Sequence, residues 1–287
     1  MAGNALYVAA RNLCLGFVAL FVSFSGANAG VAAGAKQPVL RHARVELIAE
    51  QNTVAPGMRF WIGLRFQLDP GWHIYWKNPG DSGTPPKVQW DLPPGFSAGT
   101  LFWPAPVRLG KVPIVDYGYE DEVLLMLPIA APANLAPGST VTLGAKVKWV
   151  VCREICIADQ ALVKLSLPVA KNALGQTSPG HALFAKTRAR LPRPAPRNWR
   201  IRALDGKSQF ALEVTTGVRQ GPGTFFPLEE GQIDNAAGQE VTPLTRGVRL
   251  TLRKSDQLLK PISVLRGVLV LDPGRAYQIA APVSSGR

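Results

Sequence analysis

The chain has 287 residues, 47% of them hydrophobic, with a formal net charge of +13 and high Gly (28) and Pro (25) content. That apolar fraction supports well-filled cores, while so much Gly and Pro argues against a helical protein. The basic residues are scattered along strand-like runs, which argues against nucleic acid as a partner and fits solvated surface charge, with an anionic surface or acidic partner as the other reading.

The first 29 residues read as a secretory leader. Arg11 is the only charged side chain before an uncharged run over residues 13–24, and Ala27-Asn28-Ala29 has the small-x-small pattern of a cleavage site. The run is short of the roughly 20 residues a membrane span needs, and no later stretch is long and apolar enough to be one. The expectation is export to the periplasm, with cleavage near Ala29, into a compartment where disulfides persist. What remains suffices for one large or two ordinary domains.

From residue 30 to 171 the pattern is β. Alternating runs occupy residues 43–48, 59–68, 123–129, 140–151 and 161–169, punctuated by turn signals such as APGM, DPGW, NPGDSG, PPGF and APGS. Short strands with regular turns indicate an antiparallel sandwich or barrel. Residues 172–198 read as a helical and Pro/Arg-rich linker: SPGHALFAKTRARL has the spacing of a short helix, and the prolines that follow stiffen the chain. Residues 199–287 repeat the β pattern more weakly, in WRIRALD, FALEVTT, GTFFPLE, GVRLTLRK, GVLVLD and RAYQIAAP. That region has no ligand-like His or Cys, and Glu229-Glu230 reads as a surface pair. The fold expected is all-β: a sandwich followed by a second, smaller β domain.

The chemistry centres on Cys152 and Cys156, in KWVVCREICIADQ. The third cysteine, Cys14, falls in the leader. In a continuous strand, residues four apart lie about 13 Å apart at roughly 3.3 Å per residue, whereas a disulfide needs Cα atoms within about 7 Å. A bond therefore requires Arg153-Glu154-Ile155 to turn back, between the apolar run before Cys152 and the strand after Asp159. So short a loop gives little chain-entropy stabilisation, which favours redox use over a staple. Three readings stand on spacing alone: a structural disulfide, a redox pair and a metal site. The metal site is the weakest, since zinc takes four ligands and His73 and His181 show no supporting spacing; thioether copper binding has only three Met to draw on. Arg153 and Lys148 are nearby cations that Glu154 offsets. No nicotinamide or flavin fingerprint is present and no cofactor is expected, so a self-contained enzyme is disfavoured.

Three segments taken in order, GWHIYWKNPGDSGTPPKVQWDLPPGF (71–96), FWPAPVRLGKVPIVDYGYEDEVLLMLPI (102–129) and KWVVCREICIADQ (148–160), resemble the N-terminal periplasmic domain of the thiol:disulfide interchange protein DsbD, closest to the ScsB branch linked to suppression of copper sensitivity. The second β domain resembles that branch as well. The resemblance implies an immunoglobulin-like fold and a redox role for Cys152 and Cys156, with Cys156 as nucleophile and Cys152 as resolver. It implies His73 and Tyr75 as active-site neighbours, although His73 is otherwise a lone histidine near a turn. The implied partners are a membrane-embedded thiol electron carrier and periplasmic thioredoxin-like proteins. The family's covering loop would fall at residues 109–115, without its aromatic cap. The spacing between the cysteines is shorter than in DsbD, and the membrane and thioredoxin-like domains of DsbD are missing here, so electrons are expected from a separate protein. The other reading is a non-catalytic immunoglobulin-like binding module with a structural disulfide, in copper stress tolerance.

Overall fold

The computed structural model describes residues 41–172, 177–272 and 275–285; the expected leader, residues 1–29, lies outside them. Among the described residues no helix is long and apolar enough to cross a membrane.

Alternation builds the first half. In β2 (Arg59–Leu68), Phe60, Ile62, Leu64 and Phe66 all point inward and are fully buried, as period-2 side-chain geometry requires. β1 (Ala43–Ala49) pairs antiparallel with it. The chain continues through β3 (His73–Gly80), β4 (Lys87–Asp91), β5 (Ser97–Ala98), β6 (Val107–Lys111), β7 (Ile114–Glu120), β8 (Glu122–Ala130), β9 (Thr140–Cys152) and β10 (Cys156–Pro168). One sheet has the order β1-β2-β8-β5; the other has the order β10-β9-β3-β7-β6, with β4 also paired to β9.

The odd-numbered residues of β9 from Leu143 to Val151 face Phe60, Ile62, Leu64 and Phe66 of the opposite sheet in one core, with Phe66 edge-on to Trp149 at 5.7 Å. Each such large apolar side chain contributes about 1.5–3 kcal/mol by burial. These two sheets form the immunoglobulin-like sandwich expected from the sequence. β10 starts earlier than the run at 161–169 suggested: it pairs with β9 from Cys156↔Cys152 to Pro168↔Thr140. Main-chain pairing carries the strand through Asp159 and Gln160, where side-chain alternation is weak.

The segment read as a short helix contains α1 (His181–Arg190). Phe184 and Leu183 pack on Leu124 and Met126, on the outer face of β8. Both terminal nitrogens of Arg188 donate to the carboxylate of Glu50, at the end of β1.

The second half is an eight-stranded sheet of β11 (Arg193–Pro194), β12 (Arg200–Asp205), β13 (Gln209–Thr215), β14 (Thr224–Pro227), β15 (Glu240–Leu244), β16 (Gly247–Arg253), β17 (Val264–Asp272) and β18 (Arg275–Ser285). Its order is β14-β17-β18-β12-β13-β16-β15, with β11 on β18. β15 was not among the expected strands. It carries Pro243, is largely exposed and lies at the sheet edge, where proline is tolerated and alternation gives no signal. Phe210, Leu212, Val214, Leu250 and Leu269 form this half's own core. Phe226, Val268 and Ala276 join the core of the first half instead, and Phe226 meets Tyr117 edge-on at 5.2 Å.

Candidate functional site: a disulfide-closed hairpin tip

Cys152 ends β9 and Cys156 opens β10, directly opposite each other in the ladder. Their sulfurs are bonded at 2.06 Å with Cα atoms 4.2 Å apart. Arg153-Glu154-Ile155 make the tight turn that the spacing demanded, closed by Arg153 N–H donating to the Ile155 carbonyl at 3.2 Å. The two cysteines differ in surroundings: Cys152 is 3% exposed, whereas Cys156 is an exposed residue of the turn.

β3 runs alongside the end of β9 and places His73 opposite Cys152. Tyr75, two residues on, points to the same side. Its hydroxyl donates to Cys152 Sγ at 2.7 Å, lies 3.6 Å from Cys156 Sγ and is 3.3 Å from Ser82 Oγ. A bonded disulfide has no proton to give, so the tyrosine is the donor to sulfur. Burial pushes the Tyr75 hydroxyl up from its ordinary value; the Ser82 hydrogen bond opposes this and the Asp116 charge adds to it. It therefore keeps its proton, and its donor role, at neutral pH.

Ser82 is fixed in turn. Its N–H donates to Asp116 Oδ1 at 2.9 Å and its hydroxyl to Asp116 Oδ2 at 3.0 Å. Gly83 follows at φ +69°, and a Cβ there would fall 2.0 Å from Tyr75 Cζ, so only glycine lets this loop lie against the ring. His73 is buried, edge-on to Tyr75 at 5.3 Å. Its Nε2 is 3.7 Å from Asp116 Oδ2, beyond hydrogen-bond reach, and finds no hydrogen-bond partner among the described residues.

On the other flank, the Arg153 guanidinium lies over the Trp72 ring at 5.4 Å. Trp72 stacks on His42 at 3.8 Å, and His42 Nδ1 is 3.0 Å from Asp69 Oδ2. Residues 109–115, the expected counterpart of a covering loop, are the end of β6, a turn at Val112-Pro113 and the start of β7. Val112 and Ile114 are exposed there, so the turn presents aliphatic side chains and no aromatic one, as its sequence had indicated.

Cys152, Cys156, His73 and Tyr75 thus come together in one place. Ser82, Gly83 and Asp116 were not singled out from the sequence, although they sit inside the quoted WKNPGDSG and DYGYE runs. A polar residue in a Gly/Pro-rich turn was the available signal.

The fold and the site define an immunoglobulin-like domain that carries a surface disulfide at a hairpin tip, backed by a buried tyrosine. Residues 44–168 match the family described as "Thiol:disulfide interchange protein DsbD, N-terminal". The N-terminal periplasmic domain of ScsB from Proteus mirabilis has the same fold, with a TM-score of 0.64 at 20% identity over 88% of this chain and 97% of that one. A protein of unknown function from Porphyromonas gingivalis W83 aligns at 15% identity over 84% of this chain and 100% of that one, but its TM-score of 0.24 is too low to indicate a shared fold. No curated protein matches the chain.

Proposed function

We propose that this chain is a periplasmic thiol–disulfide exchange protein, exported after cleavage near Ala29, in which Cys152 and Cys156 relay electrons from a membrane-embedded thiol carrier to thioredoxin-like proteins. The supporting observation is the asymmetry of the disulfide: Cys156 is exposed, while Cys152 is buried and accepts the Tyr75 O–H. The match of residues 44–168 to the DsbD N-terminal family points the same way.

The chemistry follows from that asymmetry. When the oxidised chain is reduced, an incoming thiolate of the carrier attacks Cys156 Sγ. The Cys152–Cys156 bond breaks, and its electron pair goes to Cys152 Sγ as a thiolate leaving group. Tyr75 O–H, already 2.7 Å away, stabilises that charge. A second carrier thiolate then attacks the mixed disulfide, releasing the oxidised carrier and leaving both cysteines reduced. In the onward step, Cys156 thiolate attacks the partner's disulfide and Cys152 thiolate attacks Cys156 Sγ of the mixed disulfide. The partner leaves as a dithiol and this chain is reoxidised, two electrons having passed. Exposure favours the outer sulfur as the one that meets partners, since access controls exchange as much as thiolate content does.

The reduction potential tests this reading. Equilibration against glutathione and dithiothreitol buffers should place the pair above about −300 mV, in the range of exchangeable bonds. A potential well below that, with no exchange with a thioredoxin-like dithiol, would make the bond structural and the chain a binding module.

A further inference from the structure

A loop of the second half reaches the segment that backs the disulfide. Asn235, between β14 and β15, is buried at 9% exposure. Its Nδ2 donates to Asp81 Oδ1 at 2.8 Å, its Oδ1 accepts the Tyr117 hydroxyl at 2.8 Å, and its main-chain carbonyl accepts Arg108 Nη2 at 2.6 Å. The other oxygen of Asp81 accepts the Val115 N–H at 2.8 Å, and Asp81 N–H donates back to the Val115 carbonyl at 3.1 Å.

Asp81 immediately precedes Ser82, which bonds Asp116 and touches Tyr75. The near end of the loop is tied the same way: Asn78 Nδ2 donates to the Pro227 carbonyl at 2.9 Å and its Oδ1 accepts Gly80 N–H at 3.0 Å. The four residues Gly80 to Gly83, whose last two press on Tyr75, are therefore suspended between β7 and the second half.

We propose that Asn235 is a positioning residue for the redox pair: it holds Asp81, Asp81 holds the Ser82–Gly83 loop on Tyr75, and Tyr75 holds the sulfur of Cys152. The second half thereby sets the reactivity of a disulfide it does not touch. This rests on the exchange reading above. Truncating Asn235 leaves Asp81 Oδ1 and the Tyr117 hydroxyl without a partner that each now has. The loop is then free to move off the tyrosine ring, and the leaving thiolate loses an aligned donor. Neither Asn235 nor Asp81 contacts sulfur in the hydrogen-bond network described, so their effect on the pair is indirect, by way of the loop that lies on Tyr75.

The test uses dithiothreitol as reductant: its thiolate attacks Cys156, Cys152 leaves, and its second thiol closes the ring to give oxidised dithiothreitol and the chain's dithiol. Asn235→Ala should lower the second-order rate about two- to tenfold, the range one lost hydrogen bond implies. Asp81→Ala should do the same, and the double variant should lose little more, because both act on one chain of contacts. Glu213→Gln, in the second half's own Arg202–Glu213–Arg249 cluster, should lower the melting temperature yet leave the rate unchanged, which separates positioning from general stability.

A folded Asn235→Ala at the wild-type rate, or additive losses in the double variant, overturns the proposal. If Asn235→Ala does not fold, Asp81→Ala carries the test alone, in an exposed loop position, and an unchanged rate overturns it equally. Should the wild-type chain react with dithiothreitol but never with a thioredoxin-like protein, the relay reading fails while this inference stands.

Discussion

Two buried carboxylates, Glu213 in the second half and Asp116 in the first, are held in opposite ways. In the second, Glu213 is clamped between two arginines: Arg202 Nε donates to one oxygen at 2.8 Å and Arg249 Nε to the other at 2.9 Å. Burial alone pushes its carboxyl up, but the hydrogen bonds and charges of Arg202 and Arg249 outweigh this and hold it below the usual range. In the first, Asp116 is held by two donors from the neutral Ser82 and faces His73 at 3.7 Å. One arrangement matches charge with charge on a sheet face. The other places a polar cluster against a disulfide. The Asp116 cluster lies where a thiolate would form, whereas Glu213 is balanced by charge within its own sheet, and the second half meets the Asp81 side chain beside that cluster through the Asn235 amide.

The largest effect that sharpens this contrast belongs to the second core. Phe210 is buried there at 1% exposure, and Phe210→Ala should cost about 3–5 kcal/mol of stability, read by thermal or urea unfolding. The exchange rate of the folded protein should stay within about twofold of wild type, since packing loss of this kind is felt in stability. A rate that falls together with the stability would erase the distinction between the halves.

Tyr75→Phe acts on the first half alone. It removes the O–H that faces Cys152 Sγ and leaves the ring against Gly83. A hydrogen bond to a charged group contributes about 1.5–3 kcal/mol, so reduction by dithiothreitol should slow roughly 10- to 100-fold, measured by stopped-flow or alkylation quench. Because burial raises the Tyr75 hydroxyl above its ordinary value, the hydroxyl is a donor throughout neutral pH. The ratio of wild-type to variant rates should then be flat from about pH 6 to about pH 9. A ratio that collapses within that window would assign the proton to another group.

Arg153→Ala should have the smallest effect. The guanidinium rests on Trp72, a contact contributing about 0.5–1 kcal/mol at an exposed site. A change in rate of no more than about fivefold is expected. A much larger loss would show that the cation works on the sulfurs rather than on the ring.

Much of this was legible in the chain. Period-2 runs marked β2 and β9 because each buries one face, a continuous apolar run marked β8, which is buried on both, and a bond between Cys152 and Cys156 required a turn at residues 153–155. The likeness to the DsbD N-terminal domain brought Tyr75 and His73 into view. What stayed hidden depends on register. Nothing local to Asp116 or Ser82 says that β7 pairs with β3 and β3 with the end of β9; that follows from which strands pair. Asn235 was equally silent, an amide in a loop more than 150 residues from the aspartate it holds. β15 escaped because an exposed edge strand containing proline has no buried face to declare itself.

In the proposed relay Cys156 meets partners and Cys152 resolves from within. Trapping with each single cysteine variant tests it most directly. Mixed with an oxidised thioredoxin-like protein, Cys152→Ser should accumulate a dithiothreitol-sensitive adduct through Cys156, seen by mass spectrometry, while Cys156→Ser, its remaining sulfur buried, should form little or none. Equal silence from both variants, or an adduct carried mainly by Cys152, would contradict the account.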